Sequence, residues 1–222
     1  MSFISTTEAV RAWVHGWAAS RNAAEPAPRP WGFTIDVGLP GHVARHIVHS
    51  DDEAAVREIT ESTTGPGVWL KACMPPGTLA PLLAPGWSLT DGPDFLMATP
   101  LPATPSRAPA EPPGGYRLRT WTRAGVTRAL VRASDGGYAA RGQIAVGGDS
   151  AVADQVETDP AHQRRGLGRL VVRALTEAAA EQGATTGVLV ATPEGRALYE
   201  TSGWRVLTPV ASAVRGPDPA GA

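Results

Sequence analysis

The chain has one cysteine, Cys73, so no internal disulfide can brace it; the plain reading of that residue is a small buried side chain. Lysine is nearly missing: Lys71 stands alone beside many arginines, which reads as coding bias rather than chemistry. No block of either charge sign occurs and the net charge is −1, so no track for a polyanion is laid out and no nucleic-acid partner is expected. No apolar run reaches membrane-spanning length, and the first residues lack a signal-peptide pattern. The expectation is no membrane association and, by default, a cytoplasmic location. His42, His46 and His49 have no cysteine or carboxylate at ligand spacing, so no metal is expected. On a strand, His42 and His46 would share a face and His49 would point away. The seven tryptophans are too dispersed for a base-stacking platform. They read as core, with Trp31, Trp69, Trp87 and Trp121 as candidate pocket walls.

What the chain does have in plenty is proline, concentrated in one place. Pro100, Pro102, Pro105, Pro109, Pro112 and Pro113 precede Gly114-Gly115. That density blocks helices and sheet ladders and predicts an extended linker over 99–115. The 222 residues then divide into an N-terminal α+β unit, 1–98, a second unit, 116–215, and a tail, 216–222. In the first unit, Ser5 and Glu8 form a capping box before Val10, Trp13, Val14 and Trp17 at helical spacing. Strands are expected at Trp31–Val37, His42–His49, Val68–Cys73 and Phe95–Ala98, with a helix over Asp51–Thr60. In the second, strands at Tyr116–Thr122, Val126–Ser134, Tyr138–Val146 and Ala151–Thr158 are joined by glycine-rich turns, as in antiparallel hairpins.

Gln163-Arg164-Arg165-Gly166-Leu167-Gly168 is the most informative segment. It follows the alternating run Ala151–Thr158 and opens a helical run from Leu167 to Gln182. A glycine-rich turn from strand into helix leaves backbone N–H groups unpaired at the positive end of the helix dipole, a site for phosphate or diphosphate. The dinucleotide pattern fails, because Val171 stands where its third glycine belongs, and no Lys-Ser/Thr follows Gly168 as a Walker loop requires.

The spacing that does fit is Gln/Arg-x-x-Gly-x-Gly/Ala, which resembles the acetyl-CoA loop of the GNAT superfamily of N-acetyltransferases. Downstream, a strand over Thr186–Ala191 leads to Thr192-Pro193-Glu194-Gly195-Arg196-Ala197-Leu198-Tyr199-Glu200-Thr201-Ser202-Gly203-Trp204. This is similar to the second GNAT motif, Asn-x-x-Ala-x-x-Leu-Tyr-Glu-x-x-Gly-Phe. Two motifs in order, one helix and one strand apart, cover 151–205 clearly and 116–150 loosely. The resemblance implies an α+β, sandwich-like fold with a twisted, mainly antiparallel sheet flanked by helices. The strand before the loop and the strand after the helix would splay, with the pantetheine arm of acetyl-CoA in the gap. It further implies backbone contacts to the cofactor from Val156, Glu157 and Thr158, and diphosphate contacts from Gln163, Arg164, Arg165, Gly166, Leu167, Gly168 and Arg169. Tyr199 would protonate the departing thiolate. Thr192 stands where the family often has asparagine; it reads first as a hydroxyl helix cap, with Pro193 at the first helical position.

If the acceptor amine arrives protonated, a general base is needed; Glu157 leads the candidates, with Asp154, Asp159 and ordered water behind it. The family's usual two helices between its first and second strands are missing, since only Arg123, Ala124 and Gly125 separate those strands. The N-terminal unit is therefore expected to supply a wall of the acceptor pocket. A degenerate copy of the same fold is one reading of that unit, although no internal repeat is legible. The expected activity is transfer of an acetyl group from acetyl-CoA to a small-molecule or peptide amine. The alternatives are a non-catalytic CoA-binding sensor or assembly module, another acyl donor, or an oxygen acceptor. A homodimer is left open.

Overall fold

A computed structural model describes residues 4–102 and 110–217. Residues 103–109 of the expected linker and 218–222 of the expected tail lie outside the described residues. The first half runs α1 (Thr6–Arg21), β1 (Ala27–Arg29), β2 (Gly32–Leu39), β3 (His42–Val48), α2 (Glu53–Ser62), β4 (Val68–Ala72), α3 (Pro76–Leu79), a 3-10 turn (Ala80–Leu82), β5 (Trp87–Leu89) and β6 (Asp94–Pro100). The second runs β7 (Tyr116–Arg123), β8 (Val126–Ala133), β9 (Tyr138–Gly147), β10 (Ser150–Thr158), a 3-10 turn (Pro160–His162), α4 (Leu167–Glu181), β11 (Thr186–Ala191), α5 (Pro193–Glu200) and β12 (Arg205–Arg215).

The local signals act as their chemistry predicts. Ser5 and Glu8 close the capping box, with the Ser5 N–H donating to Glu8 Oε2 at 2.9 Å and the Glu8 N–H donating to Ser5 Oγ at 3.3 Å. Asn22, at φ 54°, ends α1 in the left-handed region. The apolar stripe of α1 (Val10, Trp13, Val14 and Trp17) is buried with Phe33, Ile35, Leu96, Val152, Val188 and Val210. On the other face of the sheet, Leu167, Val171 and Leu175 of α4 pack with Val131, Ile144 and Leu189. The fold is thus α+β, a mainly antiparallel sheet with helices on both faces.

Strand pairing crosses the Pro-rich segment. The sheet order is β1-β2-β3-β4-β12-β6-β11-β10-β9-β8-β7. β6 precedes the linker in sequence, yet it pairs with β11 on one side and with β12 on the other. β12 begins beside β6 and ends beside β4, with Ala211–Val214 opposite Trp69–Ala72. Each half therefore gives its last strand to the other. α1, from the first half, packs across β9, β10 and β11 of the second.

This exchange exposes an internal repeat that periodicity alone does not reveal. Among the described residues two strand pairs are parallel, β3–β4 across α2 and β10–β11 across α4. Each is followed by a short helix and a Gly-Trp pair that opens a strand: Gly86-Trp87 and Gly203-Trp204. Both glycines have φ +86°, a conformation costly for other residues, and both tryptophans are buried. The β5 strand pairs with the end of β12, as the start of β12 pairs with the end of β6.

Candidate active site

The two halves differ where they should be most alike. β3 and β4 stay paired from Ala44–Val68 through Val48–Ala72. β10 and β11 pair only at Ser150–Thr186, Ala151–Gly187 and Val152–Val188, then part. A bulge between Asp154 and Glu157 turns β10 away while it stays attached to β9. Gln155 sits in that bulge at φ +52°, an uncommon conformation for a non-glycine residue. Past Val152, the β10 edge that faces β11 has no strand partner, so its main-chain donors and acceptors line an open gap. Val156, Glu157 and Thr158 lie on this stretch.

The loop closes one end of the gap. Gly166 takes the N-cap of α4 at φ +78° with no side-chain cap, and the first helical bond is from the Leu170 N–H to the Gly166 carbonyl. The N–H groups of Leu167, Gly168 and Arg169 therefore precede the helical ladder and point off its positive end. A Cβ on Gly168 would come within 3.1 Å of Leu198 Cδ2 and 3.6 Å of Thr158 Oγ1, so glycine lets β10, α4 and α5 converge here. Arg164 and Arg165 are exposed beside the loop. Arg165 is steered by a 2.9 Å bond from its Nη1 to the Tyr116 hydroxyl, which also lies 3.0 Å from His162 Nδ1. Arg169 reaches Thr201 Oγ1 at 3.4 Å, and Gln163 Nε2 lies 3.5 Å from the Thr158 carbonyl.

The same loop position in the first half has the opposite character. Asp52 caps α2 by accepting from the Ala55 N–H at 3.0 Å, and Asp51 and Glu53 flank it. One of its donors is already engaged by the Asp52 cap, and the charge of the three carboxylates repels a diphosphate. Among the described residues, then, the two halves share a parallel pair across a helix, but the second half alone has the uncapped basic loop and the parted strands.

Tyr199 is buried on α5 and packs edge-on against Trp204, with ring centroids 5.7 Å apart. Burial first, and the charge of Asp154 second, push its phenol well above the ordinary range, so it holds its proton. Thr192 caps α5, accepting from the Gly195 N–H at 3.2 Å. Glu157 faces outward and half exposed, where Tyr138 donates to it at 2.8 Å and Arg141 Nε lies 2.8 Å away. Asp159 caps the 3-10 turn through the Ala161 N–H at 2.9 Å.

Asp154 is the carboxylate at the mouth of the gap, on the face covered by α1. Its side chain is 13% exposed and is held by Arg21 Nη2 at 2.9 Å and Ser20 Oγ at 2.8 Å. Gln143 Nε2 fixes Ser20 in turn, at 2.6 Å from its hydroxyl. The cluster continues into the first half. Arg45 stacks on Trp17, Cζ to centroid 3.9 Å, and Lys71 pairs with Asp94 at 2.8 Å. His42 lies between Trp17 and Trp69, with ring centroids at 5.8 and 5.4 Å. Sequence reasoning missed Arg21, Arg45 and Trp17 as site residues, because no local motif joins positions brought together by long-range pairing. The one available signal was charged residues inside apolar strands. His46 is drawn elsewhere, to Thr34 Oγ1 at 3.1 Å and the Trp31 ring, and the three histidines form no metal cluster among the described residues.

A family model described as FR47-like protein matches residues 145–210, from the end of β9 into β12. Solved structures match over nearly the whole chain. One is a GCN5-related N-acetyltransferase from Kribbella flavida, 18% identical, covering 99% of this chain and 98% of that one at a TM-score of 0.62. Here the chain has the GNAT fold. A GNAT-family protein from Novosphingobium aromaticivorans, also 18% identical, covers 95% and 97% at 0.60. A tandem GNAT protein from the clavulanic acid biosynthesis pathway, 14% identical, covers 97% and 98% at 0.50. No curated protein sequence matches significantly. Within the GNAT fold, the second half carries the splayed strands and the loop, and α1 of the first half packs on its strands β9, β10 and β11.

Proposed function

We propose that the chain is an acyl-CoA-dependent N-acyltransferase that moves an acetyl group from acetyl-CoA to a primary amine by direct attack. The observation that carries this is the open β10–β11 gap ending at the uncapped, basic turn 163–169. The residues fit the cofactor: free main-chain donors and flanking arginines for the diphosphate, and an unpaired strand edge at Val156–Thr158 for the pantetheine amides. Bound there, acetyl-CoA supplies an activated acyl group.

The chain's own groups do the rest. Backbone N–H groups on the free edge of β10 polarise the carbonyl under attack. The amine nitrogen forms the new C–N bond as the C–S bond breaks, and Tyr199 gives its proton to the sulfur. Asp154, whose charge Tyr199 feels, takes the proton that the amine loses, directly or through one water. Both carboxylates are paired with an arginine and a hydroxyl, but Glu157 is half exposed and turned outward while Asp154 is buried close enough to act on Tyr199, which favours Asp154 for this task. Acetyl over longer acyl chains, and nitrogen over oxygen acceptors, belong to this proposal.

Calorimetry with coenzyme A and acetyl-CoA, together with thiol release across a panel of amines, tests it. Micromolar to millimolar binding with amine-dependent thiol release is expected. Binding without turnover would make the chain a CoA-binding module instead, and no binding would end both readings.

A further inference from the structure

Charge in the cluster beside the gap does not balance. Arg21 is matched by Asp154 and Lys71 by Asp94. Arg45 has no carboxylate in direct contact among the described residues, yet the residue is only 9% exposed. Its Nε and the nearby His42 Nε2 are both buried without a hydrogen-bond partner. Burial, aided by Arg45, Lys71 and Arg21, lowers His42 to about 4, so the ring is neutral at pH 7 and does not add to the charge. Asp154 and Asp94 act on the Arg45 guanidinium only through space, each being directly paired with another cation, and a buried guanidinium with no direct counter-ion is destabilising. Trp17 covers one face of the Arg45 guanidinium, and the Nε–H in its plane has no partner; a planar guanidinium is the group suited to two-point contact with a carboxylate.

We propose that the acceptor amine carries a carboxylate, as an amino acid does, and that Arg45 receives it. The first half then provides the acceptor's anion subsite while the second half binds the acyl donor. One excess positive charge matches one carboxylate better than a phosphate dianion. This rests on the acyltransferase reading, and it goes further by naming the acceptor class.

The test uses the full chain with acetyl-CoA and measures thiol release for α-amino acids, each beside its α-amide, and for phosphoethanolamine. For the best substrate, kcat/KM of the acid should exceed that of the amide by roughly 30-fold or more, the loss expected when a buried charge is left unmatched. Arg45→Met should bring that ratio toward one with coenzyme A affinity retained, and Arg45→Lys should restore part of it. If the Met variant does not fold, the Lys variant decides by the size of its drop. An amide as good as its acid, or a ratio unmoved by either variant, overturns the proposal; preference for phosphoethanolamine overturns the carboxylate assignment. Should coenzyme A bind while no amine is turned over, the acyltransferase reading fails separately. Titration of tryptophan emission then judges the subsite: a response to acids that amides lack and Arg45→Met abolishes supports it, and no response refutes it.

Discussion

Tyr199 and the two carboxylates of β10 carry the most direct predictions at the residue scale. The Tyr199 phenol keeps its proton through the physiological range, so its use lies in giving that proton away beside the sulfur, not in acting as a base. Tyr199→Phe should lower kcat about 100-fold, the low end for a lost general acid, with coenzyme A affinity changed by less than about twofold. An unchanged kcat removes Tyr199 from the mechanism. Asp154→Asn should depress kcat/KM at least about tenfold, and Glu157→Gln should change it little, since Glu157 is held at the surface by Arg141 and Tyr138. The reverse order of effects would return the base role to Glu157.

At the scale of elements, the turn into α4 is the part most exposed to one substitution. Gly166→Ala places a side chain at φ +78°, at a cost of roughly 1 kcal/mol in backbone strain, and crowds the path of the diphosphate. Coenzyme A should bind about tenfold more weakly by calorimetry, with the melting temperature down by a few degrees; unaltered binding would separate the turn from the cofactor. This turn was readable from the sequence because its chemistry is local: glycine, arginine and the helix start lie within seven residues. The capping box of α1 and the hairpins of β7–β10 were legible for the same reason. Strand partners were not, since alternation tells which face a residue takes and nothing about which strand lies beside it. Hence β6 was seen as a strand, while its place between β11 and β12 was invisible. The repeat was equally hidden: Gly86-Trp87 and Gly203-Trp204 are too short a match to stand out until topology aligns them. Arg45 and Trp17, 28 positions apart in sequence, became neighbours only through that same pairing.

On the scale of the whole molecule, the exchanged strands make each half depend on the other. Residues 115–222 expressed alone would lack β6 between β11 and β12, and the buried Val152, Val188 and Val210 would lose α1 and Leu96. That fragment should show little cooperative melting and poor dispersion in its NMR spectrum. A well-folded fragment with activity toward the native acceptor would refute the dependence and the role of the first half as a pocket wall. The same exchange also sets a schedule for biosynthesis. The outer neighbour of β4 is Ala211–Val214, made about 140 residues after β4 itself. At ribosomal speeds of 5–20 residues per second, that edge stays bare for roughly 7–30 s. The nascent first half thus leaves the exit tunnel with an unmatched strand, open to wrong pairing until Ala211–Val214 has emerged to cover it.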